Sequence, residues 1–136
     1  MGTRRKGREA ALQMLYQMDL SGVTAERAVS LYWEHLGATR DGEEFANGLV
    51  LGFGREAERI DDTIRKVSQH WRLERMARVD RNILRLGTYE LLSMADVPRR
   101  VTINEAVELA KRFGNESSAG FVNGVLDRIA TEAGKA

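Results

Sequence analysis

The segment RMARVDRNILRLGTYELLSMA, residues 75–95, carries the longest helical pattern in the chain. At about 100° per residue, its apolar side chains fall in one arc of a helix, and four arginines fall on the opposite side with Tyr89. The pattern predicts an amphipathic helix that buries one face and exposes the other. The arc consists of Met76, Val79, Ile83, Leu86, Gly87 and Leu91, and the arginines are Arg75, Arg78, Arg81 and Arg85.

Four further helices are predicted before this segment. The first runs from near Thr3 to Gly22, a residue type that commonly ends helices. The second follows Thr24, whose hydroxyl suits an N-cap, and ends at Gly37. The third begins near Asp41. The fourth places an apolar stripe on one side, formed by Ile60, Ile64, Val67 and Trp71.

Two more helices are predicted after residue 95. Pro98 breaks the central helix, because proline disfavours helical geometry in the residue before it. The run Thr102–Glu105 then has the pattern of a capping box, in which threonine and glutamate side chains satisfy each other's backbone amides. Gly114 ends this sixth helix, and Ser117 or Ser118 begins the seventh.

The pattern predicts an all-α fold. No segment shows the sustained apolar–polar alternation of a strand, and no internal repeat or low-complexity tract is present. We expect about seven helices in two small three-helix-type bundles that form one compact domain over residues 1–136. Its N-terminal half covers about residues 1–71 and its C-terminal half about 72–136. A chain of 136 residues is long enough to bury such a core.

The composition excludes several classes of function. The chain has no cysteine, so disulfides, zinc ribbons and thiol nucleophiles are absent. Its two histidines, His35 and His70, are far apart, and we expect no metal and no other cofactor. No apolar run has the length of a membrane span, and no secretory signal precedes the first helix. We therefore expect a cytoplasmic protein that does not associate with membranes.

Charge is distributed unevenly along a chain whose net charge is only +1. Residues 1–8 carry a charge of +4, residues 41–62 carry −5, and residues 72–85 carry +3. Arginines outnumber lysines by 17 to 4. Arginine forks onto phosphate and stacks on bases, so the pattern suggests a basic binding site. For residues 72–85, a solvated helix face is an equally good interpretation.

The basic arm at the start of the first helix is the strongest functional signal. It consists of Arg4, Arg5, Lys6 and Arg8. Positive charge at a helix N-terminus opposes the macrodipole, whereas phosphate contacts would make it useful. One or two turns later, Gln13 could offer hydrogen bonds and Tyr16 a stacking ring to an unpaired base. A place for Tyr16 at the edge of the core remains the alternative.

Other motifs do not support a function. Residues 52–57 spell G-x-G-x-x-A, but a dinucleotide site needs a strand before the glycines, and this stretch has helical spacing. The last two helices resemble a helix-turn-helix, but the seventh offers few side chains that read base edges. Paired acids such as Asp61-Asp62 have no partner histidine. We therefore expect no catalytic residues and no enzyme activity.

Four segments resemble the transcription antitermination factor NusB family. They are RRKGREAALQMLY at residues 4–16, VDRNILRLGTYEL at 79–91, VTINEAVELAKRFG at 101–114 and FVNGVLD at 121–127. They occur in the family's order over nearly the whole chain, and residues 22–70 match only in helix pattern. The resemblance implies a non-catalytic protein that binds boxA-type single-stranded leader RNA with the ribosomal protein NusE. That pair joins the antitermination complex on RNA polymerase and supports transcription of ribosomal RNA operons.

The resemblance also implies roles for particular residues. It assigns RNA contact to two groups, the first being Arg4, Arg5, Lys6, Arg8, Gln13 and Tyr16, and the second Asn115, Ser117 and Phe121. Phe121 also lies on an apolar stripe, which favours a core position. Asp80, Arg81 and Phe113 are assigned to the partner surface or its edge. Two alternatives remain: a homodimeric protein-interaction module, and an RNA-recognition domain related to that of ribosomal RNA methyltransferases.

Overall fold

The structure, a computed structural model, describes residues 2–36 and 39–136. Every regular element in these two ranges is helical, so the all-α class is confirmed. These ranges contain six α-helices and one short 3-10 helix, at Leu73–Arg75. The α-helices are α1 (Thr3–Ser21), α2 (Ala25–His35), α3 (Glu43–Val67), α4 (Arg78–Ser93), α5 (Arg99–Phe113) and α6 (Ser118–Glu132).

We expected about seven α-helices, and the described residues contain six; α3 accounts for the difference. The predicted third and fourth helices form one hydrogen-bonded helix, which leaves helical geometry only at Glu56 (φ −119°, ψ 18°). No proline and no turn sequence separates the two apolar patterns at this point, so the chain kinks and continues.

The chain divides at this kink into two compact units, Met1–Arg55 and Glu56–Ala136. The first unit contains α1, α2 and the first part of α3. The second contains the rest of α3 and the three remaining α-helices.

Local chemistry sets the helix ends of the first unit. Gly22 adopts φ 75° after α1, a left-handed conformation that glycine reaches without a Cβ penalty. The Thr24 hydroxyl accepts a hydrogen bond from the Arg27 amide (3.1 Å) and caps α2 as predicted. The expected helix stop at Gly37 lies outside the described residues.

The first unit has a small apolar core in which α1 packs against α2. Trp33 is buried, and its indole N–H donates a 2.7 Å hydrogen bond to Asn47 Oδ1 on α3. Because the only polar atom of this indole is satisfied, the ring can be buried without an unpaired donor. The core also includes Ala11, Met14, Leu15, Ala28, Ala46, Leu49 and Val50.

In the second unit, α4, α5 and α6 pack against one another. Gly87 on α4 lets Leu126 of α6 approach closely, since an added Cβ would lie 2.7 Å from a Leu126 methyl carbon. Helix α4 begins at Arg78, later than predicted, because Arg75 belongs to the 3-10 helix. The core includes Ile60, Ile64, Ile83, Leu84, Ala110, Val122 and Ile129.

The predicted capping box at Thr102 is wrong. Helix α5 begins at Arg99, directly after Pro98, so Thr102 lies inside the helix. Its hydroxyl donates to Oε1 of the buried Glu90 on α4 (3.0 Å). The proline fixes the extended conformation from which the helix starts, and the threonine serves a tertiary hydrogen bond instead of a cap.

Candidate nucleic-acid interface

The first turn of α1 presents cations to solvent and contains no acidic residue. Arg4 and Arg5 are exposed, and the Lys6 side chain is 42% exposed. Gly2 provides the N-cap without a side-chain hydrogen bond. Cations at this end of a helix oppose the dipole by a few tenths of a kcal/mol each, so this arrangement is not explained by helix stability.

Close backbone packing holds the start of α1. An added Cβ at Gly7 would lie 2.9 Å from the carbonyl oxygen of Gly42, and one at Gly42 would lie 2.6 Å from the Thr3 carbonyl oxygen. Gly42 also has φ 78°. Lys6 Nζ forms an exposed ion pair with Asp41 (3.1 Å) in the same loop. The glycine within the basic run therefore allows the loop before α3 to pack on the arm.

Arg8 differs from the rest of the arm because it is buried. Its exposed fraction is 4%, and its guanidinium carbon lies 5.1 Å from the centre of the Phe45 ring. Arg4 lies 4.8 Å from the centre of the same ring. Cation–π contacts of this kind help to orient guanidinium groups. The burial favours a packing role for Arg8 over direct contact with RNA phosphate.

Polar and apolar side chains continue the exposed surface along α1. Gln13 is exposed, and Tyr16 is 36% exposed, so the phenol ring is not enclosed by the core. Leu20, four residues after Tyr16, is 55% exposed on the same face. Sequence reasoning missed Leu20, although its i, i+4 spacing from Tyr16 is a usable signal.

The pKa of Tyr32 on α2 depends in part on a charge carried by α1. Burial, and to a smaller extent the nearby Glu9 carboxylate, raise the pKa of Tyr32 above its ordinary value. The phenol ring contacts Trp33 edge to face, with 4.8 Å between ring centres. Tyr32 therefore remains a neutral hydroxyl at physiological pH.

The turn between α5 and α6 is ordered by its own side chains. Asn115 Oδ1 accepts hydrogen bonds from the Ser117 amide and the Ser117 hydroxyl, both at 2.9 Å. The Asn115 backbone N–H donates to Ser118 Oγ (3.0 Å). Asn115 and Ser117 are exposed, so this preorganised turn presents polar groups to solvent. Gly114 ends α5 as predicted.

Phe121 and Trp71 form an aromatic pair within the second unit. Their ring centres are 5.9 Å apart and their planes meet at 77°, an edge-to-face contact. Phe121 is half-buried, whereas Trp71 is 63% exposed. The predicted core position of Trp71 is wrong, because α3 ends at Val67 and the apolar stripe ends with it.

The three residues assigned to the partner surface have different surroundings. Phe113 is 39% exposed at the end of α5, beside the Arg112 guanidinium. Asp80 and Arg81 are each only 8% exposed. Arg81 Nη1 donates to the carbonyl oxygens of Leu73 (3.1 Å) and Glu74 (3.3 Å). Phe113 is thus available to a partner, while Arg81 fastens the 3-10 helix to α4.

The alternative of a solvated face for residues 72–85 does not hold for Arg81 and Arg85. Arg85 forms two hydrogen bonds with the Asp61 carboxylate (2.9 and 3.0 Å), and both side chains are about 15% exposed. Arg81 is buried, as described above. Asp61, one of the acids of residues 41–62, thus compensates part of this positive charge. It lies 24 positions from Arg85, so the sequence alone does not reveal the pair.

In residues 2–36 and 39–136, no group of three or more histidine, aspartate or glutamate side chains is placed to hold a metal ion. No helix in these ranges has the length and apolar character needed to cross a membrane. The glycines of residues 52–57 lie inside α3, so they do not form a dinucleotide loop.

The fold and the exposed first turn define a small, all-helical class of protein with a basic helix terminus. Residues 5–131 match the model of the NusB family. The transcription antitermination protein NusB of Sorangium cellulosum (strain So ce56) is 52% identical over 135 residues, covering 99% of this chain and 96% of the relative.

Two solved structures have the same fold. The structure of T. maritima NusB matches with a TM-score of 0.83 and 41% identity, covering 97% of this chain and 94% of the other. A crystal structure of the antitermination factors NusB and NusE in complex with double-stranded RNA matches with a TM-score of 0.83 and 33% identity, covering 96% and 97%.

The chain belongs to the NusB family. It is a transcription antitermination factor and not an enzyme. The expected family and the expected lack of catalytic activity are thereby confirmed.

Proposed function

We propose that this factor binds unpaired boxA-type RNA together with NusE and acts in the antitermination complex of RNA polymerase on ribosomal RNA operons. The observation that carries the proposal is the first turn of α1, which presents exposed cations without any acid. Transcription takes place in the cytoplasm of a bacterium, and we place the factor there.

The two units would each contribute an RNA contact surface. In the first unit, Arg4, Arg5 and Lys6 supply phosphate contacts, and Gln13 and Tyr16 supply a hydrogen bond and a ring. Phosphate contact by cations releases counterions and provides affinity that depends on salt. The exposed ring favours unpaired RNA, because bases in a duplex are not available for stacking on a side chain.

In the second unit, the ordered turn with Asn115 and Ser117 would supply polar contacts, and Phe121 an aromatic edge. Phe113 would contact NusE, because an exposed aromatic ring is a common anchor at protein interfaces. A relative of this chain forms a complex with NusE and double-stranded RNA, which supports NusE and RNA as partners here and leaves the preference for unpaired RNA to the test below.

The salt dependence of RNA binding tests the role of the arm. The test variant replaces Arg4, Arg5 and Lys6 together by alanine. Its binding to a boxA-like single strand is measured by fluorescence anisotropy from about 50 to about 300 mM salt, over which the Debye length shortens by more than half. We expect the slope of log K against log salt to flatten by about two to three units.

A matched control replaces three exposed arginines elsewhere, Arg27, Arg55 and Arg128, by alanine. It removes the same charge, and we expect a much smaller change in slope. An unchanged slope in the arm variant would exclude the arm from binding. Duplex RNA of the same sequence shows whether the unpaired form is preferred, and Phe113→Ala should weaken capture of NusE without altering the slope.

Light scattering distinguishes this function from a homodimeric interaction module. We expect RNA and NusE to bind a single copy of the chain. A dimer that neither RNA nor NusE changes would favour the interaction module instead.

A further inference from the structure

The two tryptophans of the chain have opposite environments. Trp33 is 9% exposed and hydrogen-bonded to Asn47, whereas Trp71 is 63% exposed. Tryptophan is the largest side chain and is highly buried on average. An indole this far in solvent is a candidate for contact with a ligand because it also lies against a second aromatic ring and next to an exposed arginine, Arg72.

The backbone around Trp71 fixes the position of its ring. Helix α3 ends at Val67, and the Trp71 amide donates a 2.8 Å hydrogen bond to the carbonyl oxygen of Ser68. Ser68 is itself buried, and its hydroxyl donates to the Ile64 carbonyl (2.6 Å). The residue that anchors the turn is thus part of the core, so the turn holds Trp71 in a defined place.

Phe121 fixes the orientation of the same ring. The planes of the two rings are 77° apart, and Phe121 is half-buried on α6. An edge-to-face contact supports the indole from one side, while nearly two thirds of the residue remains open to solvent. The exposed part of an indole held in this orientation can stack against another planar ring.

The charges near Trp71 suit a polyanion. Arg72 and Arg75 are exposed on either side of Leu73. The acid between them, Glu74, is engaged by Arg65, with hydrogen bonds of 3.0 and 3.2 Å to one carboxylate oxygen. Because Arg65 neutralises part of the negative charge of Glu74, the two arginines should attract an anion more strongly than the sequence suggests.

We propose that Trp71, supported by Phe121, is a stacking site for an unpaired RNA base, with Arg72 beside it for the adjoining phosphate. The inference rests on the proposed function and adds to it a base-stacking residue that the sequence pattern assigned to the core. Aromatic rings bind unpaired bases with little dependence on base identity, because every base has a π face.

The test measures RNA binding of the full chain, with NusE present, for Trp71→Ala and Trp71→Phe. Stacking on one base contributes about 1–3 kcal/mol, which corresponds to roughly 5- to 150-fold in affinity. We expect Trp71→Ala to lose at least fivefold for the single strand and Trp71→Phe to retain most of the affinity. The salt slope should stay unchanged, because no cation is removed.

Fluorescence provides a second readout that does not depend on affinity. Acrylamide reaches the exposed Trp71 and not the buried Trp33, so bound RNA should protect the accessible emission from quenching. Trp71→Phe should abolish that protection. Leu36→Ala, which removes another exposed apolar side chain, is the matched control, and we expect it to bind RNA as the original chain does.

The outcomes separate this inference from the proposed function. If the original chain binds RNA with an arm-dependent salt slope and Trp71→Ala binds equally well, the stacking site is wrong and the proposed function stands. If Trp71→Ala loses NusE and not RNA, the patch is a protein contact. If the original chain binds no RNA under any condition, the proposed function fails first. Circular dichroism confirms that the variants are folded.

Discussion

Two arginine-rich stretches of the chain have different surroundings. Residues 4–8 lie in the first unit, and Arg4 and Arg5 are exposed on the first turn of α1. Residues 72–85 lie in the second unit, where Arg81 is buried and Arg85 is paired with Asp61. The comparison shows that arginine density alone does not predict which arginine side chains are exposed and which are buried.

In the second stretch, folding brings acceptor groups from other elements to the arginines. Asp61 is on α3, and α3 places it against Arg85 of α4. Arg81 satisfies carbonyl oxygens at the 3-10 helix, where a buried acceptor would otherwise lose its hydrogen bond. In the arm, Lys6 forms a long-range ion pair between exposed side chains, with Asp41. Such a pair contributes little to stability and can exchange its partner for phosphate.

The largest effect is expected when Arg85 is replaced by alanine. The substitution leaves Asp61 largely buried without its guanidinium partner, which should cost about 2–4 kcal/mol of unfolding free energy. Urea unfolding measures the loss. Arg59→Ala is the control, because its ion pair with Glu56 is exposed and should contribute less than about 1 kcal/mol. Equal losses in the two variants would contradict the structural role of Arg85.

The next effect concerns the packing that holds the arm. Gly7→Ala would improve helix propensity by about 1 kcal/mol in an open helix. Here the new Cβ would lie 2.9 Å from the Gly42 carbonyl oxygen, and overpacking should outweigh the gain by about 1–2 kcal/mol.

The control for Gly7 is Gly48→Ala on α3. Nothing lies within 4 Å of a Cβ added there, so we expect no loss and up to about 1 kcal/mol of stabilisation. Thermal unfolding of the two variants gives shifts of opposite sign if the Gly7 contact holds the arm. A stabilised Gly7→Ala variant would show that the arm does not depend on this contact.

Sequence reasoning succeeded where a single residue determines the local backbone. Gly22 ends α1 in left-handed geometry, Thr24 caps α2, and Gly114 ends α5, all as predicted. Each signal acts within one helical turn, so it is readable without the tertiary structure. The exposed first turn of α1 was readable for the same reason, from Arg4 and Arg5.

It failed where tertiary contacts decide between two local possibilities. Thr102 satisfies the pattern of a capping box and instead donates to Glu90 on another helix. Arg81 fits the polar face of α4 and is buried against the 3-10 helix. Trp71 continues an apolar stripe by spacing, but α3 ends before it. In each case the deciding atom belongs to another element or to a helix end that periodicity does not locate.

Replacing Arg8 tests whether a buried arginine of the arm contacts RNA. It belongs to the arm by sequence and to the interior by its 4% exposure. Arg8→Met keeps an unbranched apolar stem and removes the guanidinium over Phe45, and we expect a loss of about 1 kcal/mol in urea unfolding. The salt slope of RNA binding should not change. A slope flattened by about one unit would instead assign Arg8 to phosphate contact.

The smallest effect concerns Glu74 in the second unit. A hydrogen bond from its own backbone amide and then the Arg65 guanidinium lower the pKa of Glu74 below its ordinary value of 4.5. A lowered pKa in the folded state stabilises the fold above the ordinary value, and this contribution is lost as pH falls through the folded pKa. Glu74→Gln should therefore be slightly less stable than the original chain near neutral pH and equally stable once the carboxylate is protonated.

Urea unfolding midpoints at neutral and acid pH measure this change. The side chain is exposed, so the difference should be small and should shrink further in 1 M salt, where the screening length falls to about 3 Å. In an Arg65→Gln background, Glu74→Gln should have less effect, because the guanidinium is gone. The part of the effect that comes from the backbone hydrogen bond should remain in this background. A Glu74 effect of undiminished size at neutral pH would show that Arg65 does not hold the carboxylate.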